Sequence, residues 1–267
     1  MVKFLSIFFV LHLTAMTVFA QIYNGAPVTH VSLVGGNILP GKGFTLGIRM
    51  QLEPGWHAYW KNPGDAGLPV SAELLDAHGY KAGELKFPTP RKIITGGDVL
   101  FGYDSEVVFL LPIKAPPNAT SPQFTVRMNW LACKEVCLPG EASIAFIADS
   151  ISKNDRQDNQ RILDRWTARL PQPGTGFNMG NAGVVVTEKE GKQIVFIKFI
   201  GMAPGTVTDF FPEQIEGFVA DYYNMIIGED GITLTLTPET KKSKLTEIKG
   251  IAVIGTSGYE VDFKVNQ

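Results

Sequence analysis

The sequence has only two cysteines in 267 residues and no strong excess of charge of either sign. Two cysteines are too few for a disulfide-rich scaffold, which needs several bridges. Twenty-four basic and 26 acidic residues give a formal net charge of −2, without a conspicuous basic cluster. This balance argues against nucleic acid as a main partner, because phosphate binding needs concentrated positive charge. The remaining composition is ordinary for a globular protein, and the length suggests about two domains.

Long apolar runs are also scarce, and the most prominent one lies at the N-terminus. Lys3 precedes an apolar segment from Phe4 to Val18. This segment is shorter than the roughly 20 residues that cross a bilayer. The residues that follow favour cleavage before Gln21, so we predict a signal peptide over residues 1–20 and an oxidising compartment for the mature chain. The alternative is a retained N-terminal anchor.

Most of the remaining sequence predicts short β-strands separated by turns. The strand segments are rich in β-branched and aromatic residues, and Gly, Pro, Asn and Asp cluster between them, as in Asn62-Pro63-Gly64-Asp65 and Gly228-Glu229-Asp230-Gly231. The predicted strands are Val28–Val34, Gly43–Leu52, Glu106–Pro112, Phe124–Leu131, Ala142–Ala148, Gly183–Thr187, Gln193–Phe199, Phe218–Ile227, Ile232–Thr237, Lys249–Ile254 and Tyr259–Val265.

Residues 151–170 have a different character, because they carry charge and contain neither Gly nor Pro. Ile162, Trp166 and Leu170 recur every four residues, which predicts a helix with a narrow apolar stripe. We therefore predict an all-β protein of two antiparallel β-sandwich domains joined by a helical linker. The predicted boundaries are 21–150 for the first domain, 151–174 for the linker and 175–267 for the second domain.

The two cysteines lie close together, in Cys133-Lys134-Glu135-Val136-Cys137. In a straight strand their Cα atoms would be about 13 Å apart, at about 3.3 Å per residue. A disulfide requires less than about 7 Å, so the pair can be bridged only if the chain turns between them. A tight hairpin with Lys134, Glu135 and Val136 at its tip would place the cysteines opposite each other.

Three interpretations of the pair remain open at this point. A ring of about five residues stabilises a protein by only ~2 kcal/mol, and short bridges are often exchangeable, so a redox role is favoured over a structural bridge. Two thiolates could also hold a soft ion such as Cu(I). His30, His57 and His78 do not lie at ligand spacing from one another, and a zinc site would want four ligands. We therefore predict no metal site and no cofactor.

Two further segments are candidates for the surroundings of the cysteines. The segment from Gly55 to Gly67 holds Trp56 and Trp60, two of the four tryptophans, and the ordinary interpretation places both in a sandwich core. The segment from Gly97 to Tyr103 carries an apolar pair between glycines. Two apolar side chains are expected in an exposed loop only if they cover another part of the protein. The alternative is that this segment is simply the end of a hairpin.

Four motifs, taken in order, resemble the N-terminal periplasmic domain of DsbD-type thiol:disulfide interchange proteins, and especially their ScsB-like branch, which is associated with copper tolerance. The resemblance covers roughly residues 25–150, and PGTVTDFFPEQI (204–215) is similar, less specifically, to the second module of that branch. The motifs are WHAYWKNPGDAG (56–67), FPTPRK (87–92), DVLFGY (98–103) and CKEVCLPG (133–140).

The resemblance implies an immunoglobulin-like fold and a function in thiol–disulfide exchange in the periplasm. In the family, a membrane-embedded donor supplies electrons, and the two cysteines pass them to thioredoxin-fold proteins. By this resemblance Cys137 attacks, Cys133 resolves, and Asp98 keeps the pKa of the cysteines from falling. The implied site comprises Cys133 and Cys137, a cap loop of Asp98–Tyr103 with Leu100 or Phe101 at its tip and Tyr103 at its end, and the lining residues Trp56, Tyr59 and Trp60.

The sequence departs from the full-length family in one respect. Full-length members continue into a membrane domain and a thioredoxin-like domain, whereas this sequence ends at Gln267 with neither. We therefore expect a stand-alone secreted protein that receives electrons from a separate donor. The alternatives are a non-enzymatic periplasmic binding module with a structural disulfide, and a copper-tolerance protein that binds Cu(I).

Overall fold

The computed structural model describes residues 18–19, 22–23, 26–119, 121–174 and 183–265. Most of the predicted signal peptide lies outside these residues. Within the part of the chain that the structure describes, no helix is long and apolar enough to cross a membrane.

Among the described residues, thirteen strands precede the main helix. They are β1 (Val18–Phe19), β2 (Ile22–Tyr23), β3 (Ala26–Pro27), β4 (Thr29–Gly35), β5 (Phe44–Leu52), β6 (Ala58–Gly64), β7 (Ser71–Leu75), β8 (Lys81–Ala82), β9 (Arg91–Thr95), β10 (Asp98–Tyr103), β11 (Glu106–Lys114), β12 (Gln123–Cys133) and β13 (Cys137–Ile147).

These strands form two four-stranded sheets, of order β1-β13-β12-β7 and β4-β5-β11-β8, and a three-stranded sheet of order β6-β10-β9. β2 and β3 form a separate two-stranded sheet. Burial alternates along β12, where Val126 and Met128 are buried between more exposed neighbours, as the two-residue period of a strand requires. These side chains join Leu46 and Ile48 of β5 and Phe109 of β11 in one apolar core.

A 3₁₀ turn (Ala148–Ser150) leads into the helix α1 (Lys153–Thr167), which the sequence predicts over 151–170. The Ser152 hydroxyl caps the helix by accepting a hydrogen bond from the Asp155 N–H, at 3.2 Å. Leu163 and Trp166 are the buried residues of the helix. A Cβ atom at Gly47 would lie 2.8 Å from Leu163 Cδ2, so the missing side chain lets the helix settle onto the β4–β5–β11 sheet.

In the part of the chain described after the helix, eight strands form two more four-stranded sheets, of order β14-β21-β20-β17 and β15-β16-β19-β18. All of their pairings are antiparallel except that of β14 with β21. The strands are β14 (Gln172–Pro173), β15 (Gly183–Lys189), β16 (Lys192–Lys198), β17 (Val207–Pro212), β18 (Phe218–Ile227), β19 (Gly231–Pro238), β20 (Glu247–Ile254) and β21 (Ser257–Lys264).

The fold is therefore the predicted all-β arrangement of antiparallel, immunoglobulin-like sheets. We refer to the sheets of β1–β13 as the first sandwich and to those of β14–β21 as the second sandwich. That these are separate domains, with boundaries at 150 and 174, remains our proposal.

Two local predictions differ from the structure. The predicted cap loop Asp98–Tyr103 is a strand, β10, which pairs with β6 on one side and with β9 on the other. The predicted turn at Asn62–Asp65 is also mostly strand, since β6 continues to Gly64. Between Gly102, which pairs with Tyr59, and Leu100, which pairs with Gly64, the register of β6 shifts. This bulge accommodates Pro63, because a proline cannot donate to a regular ladder.

Candidate redox site around Cys133 and Cys137

The two cysteines close a β-hairpin. β12 and β13 pair in continuous register from Gln123 opposite Ile147 to Cys133 opposite Cys137. The two cysteines are joined by a disulfide, and their Cα atoms are 4.1 Å apart. At the tip, the Lys134 N–H donates a hydrogen bond to the Val136 carbonyl oxygen, at 3.0 Å. The hairpin predicted from the cysteine spacing is thus confirmed.

The two sulfur-bearing residues have very different environments. Cys133 is only 3% exposed, whereas Cys137 is exposed. Val136, beside Cys137 at the tip, is 43% exposed. A reagent or partner that approaches the hairpin tip therefore meets Cys137 first, and Cys133 lies behind it.

A small apolar cluster covers Cys133. Tyr59 from β6 and Leu100 from β10 are buried against Cys133. Ile93 and Leu131, which are partly buried, pack against these three residues. Leu100 lies directly opposite Ile93 in the β9–β10 pair, and directly opposed residues of antiparallel strands share a face. One face of the β6-β10-β9 sheet thus forms the cover of the buried cysteine.

The loop after β6 fits closely over Tyr59. Gly67 has φ +116°, and a Cβ atom built on it would lie 2.2 Å from Cε1 of the Tyr59 ring. Pro69 forms an isolated β-bridge with Tyr59. The same loop anchors the start of β10, because Asp65 accepts the Val99 N–H at 2.7 Å with its side chain and donates its own N–H to the Val99 carbonyl at 3.0 Å.

His57 is a neighbour of the site that the sequence analysis weighed only as a metal ligand. Its backbone exchanges two hydrogen bonds with Cys133, at 2.9 and 3.0 Å, which places the two side chains on the same face. His57 Nε2 lies 3.2 Å from the hydroxyl oxygen of Tyr59, and both side chains are buried. The sequence signal was the spacing of two, which puts His57 and Tyr59 on one face of an extended segment.

Burial governs the titration of both side chains. Burial lowers the pKa of His57, and the negative charge of Asp104 opposes this effect. Burial raises the pKa of Tyr59, and the negative charge of Asp98 raises it further. At neutral pH the pair is therefore an uncharged imidazole beside an uncharged phenol.

Two of the proposed site residues lie on the opposite face of the covering sheet. Phe101 is fully buried, but its ring packs against Phe211, with centroids 5.4 Å apart, and against Tyr222, at 4.9 Å. Trp60 packs against Phe211, with centroids 6.5 Å apart. The alternation of side chains along β10 explains why Leu100 faces Cys133 while its neighbour Phe101 does not.

The other proposed residues lie elsewhere in the first sandwich. Trp56 packs edge-on against Tyr23, with centroids 5.3 Å apart, and belongs to the main core. Tyr103 is also in that core, and its hydroxyl donates to the Pro88 carbonyl oxygen at 2.7 Å. Asp98 is exposed at the start of β10, near enough to Tyr59 for its charge to act on that hydroxyl.

The described residues hold no group of three or more His, Cys, Asp or Glu side chains placed to bind a metal ion. The arrangement is instead suited to exchange between thiols and disulfides. Cys137 is the exposed end of the bridge, where a nucleophilic thiolate would attack, and the residue whose sulfur would then leave, Cys133, is enclosed by apolar side chains.

Two comparisons with known proteins show what the chain is similar to. Residues 32–148 match the sequence model of the family described as thiol:disulfide interchange protein DsbD, N-terminal, which confirms the resemblance seen in the motifs. The fold is similar to the crystal structure of the N-terminal periplasmic domain of ScsB from Proteus mirabilis, with a TM-score of 0.70 and 14% sequence identity. That match covers 94% of this chain and 98% of the other. The search of curated proteins found no match.

Proposed function

From the family match of residues 32–148, we propose that this protein exchanges electrons with thioredoxin-fold proteins of the periplasm through Cys133 and Cys137. The observation that carries the proposal is the asymmetry of the hairpin, in which the bridge joins an exposed residue, Cys137, to a buried one, Cys133. This asymmetry supports Cys137 as the attacking residue and Cys133 as the resolving one.

Reduction of a partner would take two steps. The Cys137 thiolate first attacks one sulfur of the partner's disulfide, forming a mixed disulfide, and the partner's second sulfur leaves as a thiolate. Cys133 then loses its proton, and its thiolate attacks the Cys137 sulfur. The partner's first sulfur leaves as a thiolate, so two electrons pass to the partner and the Cys133–Cys137 disulfide forms.

The cover over Cys133 would separate these two steps. While Cys133 is enclosed by Tyr59 and Leu100, an external disulfide cannot reach its sulfur. Cys137, in contrast, lies directly opposite Cys133 in the hairpin register, with the two Cα atoms 4.1 Å apart, so its sulfur stays within reach of Cys133. Under this proposal the protein forms mixed disulfides through Cys137, and Cys133 serves only to release the partner.

A membrane-embedded protein is the proposed source of electrons, and cleavage of residues 1–20 the proposed route to the periplasm. Both proposals rest on the family match and on the N-terminal sequence.

Transfer of the bridge to a defined partner tests the function. The reduced protein is mixed with an oxidised periplasmic thioredoxin-fold protein, and the free thiols of both are counted after quenching with a maleimide. We expect the partner to gain two thiols as this protein loses two. A Cys133→Ser variant should accumulate a mixed disulfide through Cys137, and the matched Cys137→Ser variant should not.

The opposite result would identify a structural bridge. Structural disulfides have reduction potentials below about −300 mV, whereas exchangeable ones lie higher. A potential in that low range, together with no transfer to the partner, would overturn the proposal and favour a binding module whose hairpin is merely cross-linked.

A further inference from the structure

The β6-β10-β9 sheet is occupied on both faces, and we call it the intervening sheet. One face carries Tyr59, Leu100 and Ile93 against Cys133. The other face carries Phe101 and, directly opposite it in register, Lys92. These reverse-face side chains contact the second sandwich, so a single thin layer separates the buried cysteine from that sandwich.

Aromatic packing dominates the reverse face. Phe101 meets Phe211 of β17 and Tyr222 of β18 edge-on, at centroid distances of 5.4 and 4.9 Å. Phe101 and Phe211 are almost completely buried. Edge-to-face pairs of this kind add specific attraction to the burial of apolar area. The position of β10 is therefore fixed from behind by residues that are distant in sequence.

Asn62 makes buried hydrogen bonds across the same interface. Its side chain is only 5% exposed, and its Nδ2 donates to the Pro212 carbonyl oxygen at 2.8 Å and to the Tyr222 hydroxyl at 3.1 Å. Its Oδ1 accepts the Gly64 N–H at 3.2 Å. A buried amide is tolerated when its hydrogen-bonding groups find partners, and here both donors and the acceptor do.

Two ion pairs lie beside this contact. Lys92 pairs with Asp209 at 3.3 Å, and Lys61 pairs with Glu213 at 2.5 Å. Partly exposed pairs contribute little to stability, but they favour one orientation of the two surfaces over others.

We propose that the second sandwich braces the intervening sheet and so keeps Cys133 covered, with Phe101, Asn62 and Tyr222 as positioning residues. The inference rests on the proposed function to the extent that the covered cysteine is the one that resolves the mixed disulfide. The sheet has only three strands, and β9 forms its outer edge. A two-stranded hairpin is only marginally stable in water on its own, so the β9–β10 hairpin depends on its pairing with β6 and on the layers packed against its faces. Loss of the brace should let the β9–β10 hairpin move away from Cys133.

The test measures the cover directly, without any partner protein. The rate of alkylation of Cys133 by iodoacetamide is measured in a Cys137→Ser background, and that of Cys137 in a Cys133→Ser background. The brace is loosened with Phe101→Leu combined with Tyr222→Phe. Tyr223→Phe is the matched control, because Tyr223 adjoins Tyr222 but is 65% exposed.

We expect the double variant to raise the Cys133 rate roughly tenfold, since a tenfold change corresponds to the loss of about one aromatic contact and one hydrogen bond. The alkylation rate of Cys137 should not change in the double variant, and that of Cys133 should not change in the Tyr223→Phe control. Amide hydrogen exchange should quicken in β9 and β10 while β5 and β11 stay protected, which distinguishes local opening from general destabilisation. If the double variant does not fold, Tyr222→Phe alone should give a smaller rise in the same direction.

The proposal that the second sandwich keeps Cys133 covered would be overturned by one result in particular. In a folded double variant whose β17 and β18 amides exchange faster, the alkylation rate of Cys133 would be unchanged. An equal rise for the Tyr223→Phe control, or loss of protection in β5 and β11, would do the same. These outcomes leave the proposed exchange function standing. Failure of electron transfer to a thioredoxin-fold partner, with the alkylation results as expected, would instead overturn the exchange function alone.

Discussion

His57 and Cys133 are joined by two backbone hydrogen bonds, of 2.9 and 3.0 Å, although 76 positions separate them (133 − 57). The imidazole and the buried cysteine consequently lie on one face, with the Tyr59 hydroxyl 3.2 Å from His57 Nε2. An uncharged histidine is thereby held on the face of the buried cysteine, whose thiol would gain and lose a proton in the proposed exchange.

The stability of the protein should decrease at mildly acidic pH because of His57. Burial lowers its pKa in the folded state, so below about pH 6.5 the unfolded chain binds a proton that the folded protein does not. The free energy of unfolding is therefore unaffected by the titration of His57 above about pH 6.5, and it decreases as the pH falls below that value. Urea unfolding at pH 7.5 and pH 5.5 measures this difference, which should shrink in His57→Asn. His30→Asn is the control, because His30 is largely exposed, and an equal effect there would contradict the assignment to His57.

Truncation of Leu100 should open the cover and destabilise the first sandwich. Leu100 is buried against Cys133 and Tyr59, so Leu100→Ala leaves a cavity at a cost of about 2–5 kcal/mol. Alkylation of reduced Cys133 should become faster as well. Ile94→Ala in the same hairpin is the control, since Ile94 is 64% exposed and its truncation should change stability by less than about 0.5 kcal/mol. Urea unfolding measures the stability of both variants, and similar losses in the two would show that Leu100 has no special contact.

A side chain at position 67 should disturb the site more than one at position 96. Gly67 has φ +116°, and an added Cβ would lie 2.2 Å from the Tyr59 ring, whereas Gly96 has φ +60° and no atom within 4 Å of its Cβ position. Gly96→Ala should cost about 1 kcal/mol from backbone strain alone. Gly67→Ala should cost more, because the Tyr59 ring must also move. Thermal unfolding compares the two, and equal losses would mean that the loop adjusts without displacing Tyr59.

Removal of the disulfide should have a modest effect on stability and a complete effect on exchange. The bridge closes a ring of only about five residues, so the Cys133→Ser/Cys137→Ser variant should lose about 2 kcal/mol or less. Exchange with a thioredoxin-fold partner should be abolished. Guanidinium unfolding of the variant and of the oxidised protein gives the difference. A loss of about 5 kcal/mol would indicate that the bridge serves mainly to stabilise the fold.

The parts of the structure that the sequence predicts well are those controlled by local spacing. The distance argument for Cys133 and Cys137 leads to the hairpin, because a strand cannot bridge residues four apart. The strand Phe218–Ile227 is predicted with its observed bounds, because its apolar residues end at a clear turn.

The parts that the sequence does not predict depend on contacts between distant segments. Leu100 and Phe101 have similar apolar character, and only pairing of β10 with both β6 and β9 determines which of them faces Cys133. Asn62 precedes a Pro-Gly pair and predicts a turn. The structure instead places it in a bulged strand, where Pro212 and Tyr222 satisfy its amide.

The disulfide lies at one end of the β12–β13 ladder, and this position affects the energetic cost of the proposed redox cycle. Eleven paired positions run from Gln123–Ile147 to Cys133–Cys137, and the bridge is the last of them. Breaking it therefore removes a cross-link at the end of a ladder whose other pairings do not depend on it. Under the proposed function, the ten remaining pairs would hold the two strands in place when the bridge opens, so little reorganisation energy would oppose the gain or loss of two electrons and the hairpin would act as a reusable carrier.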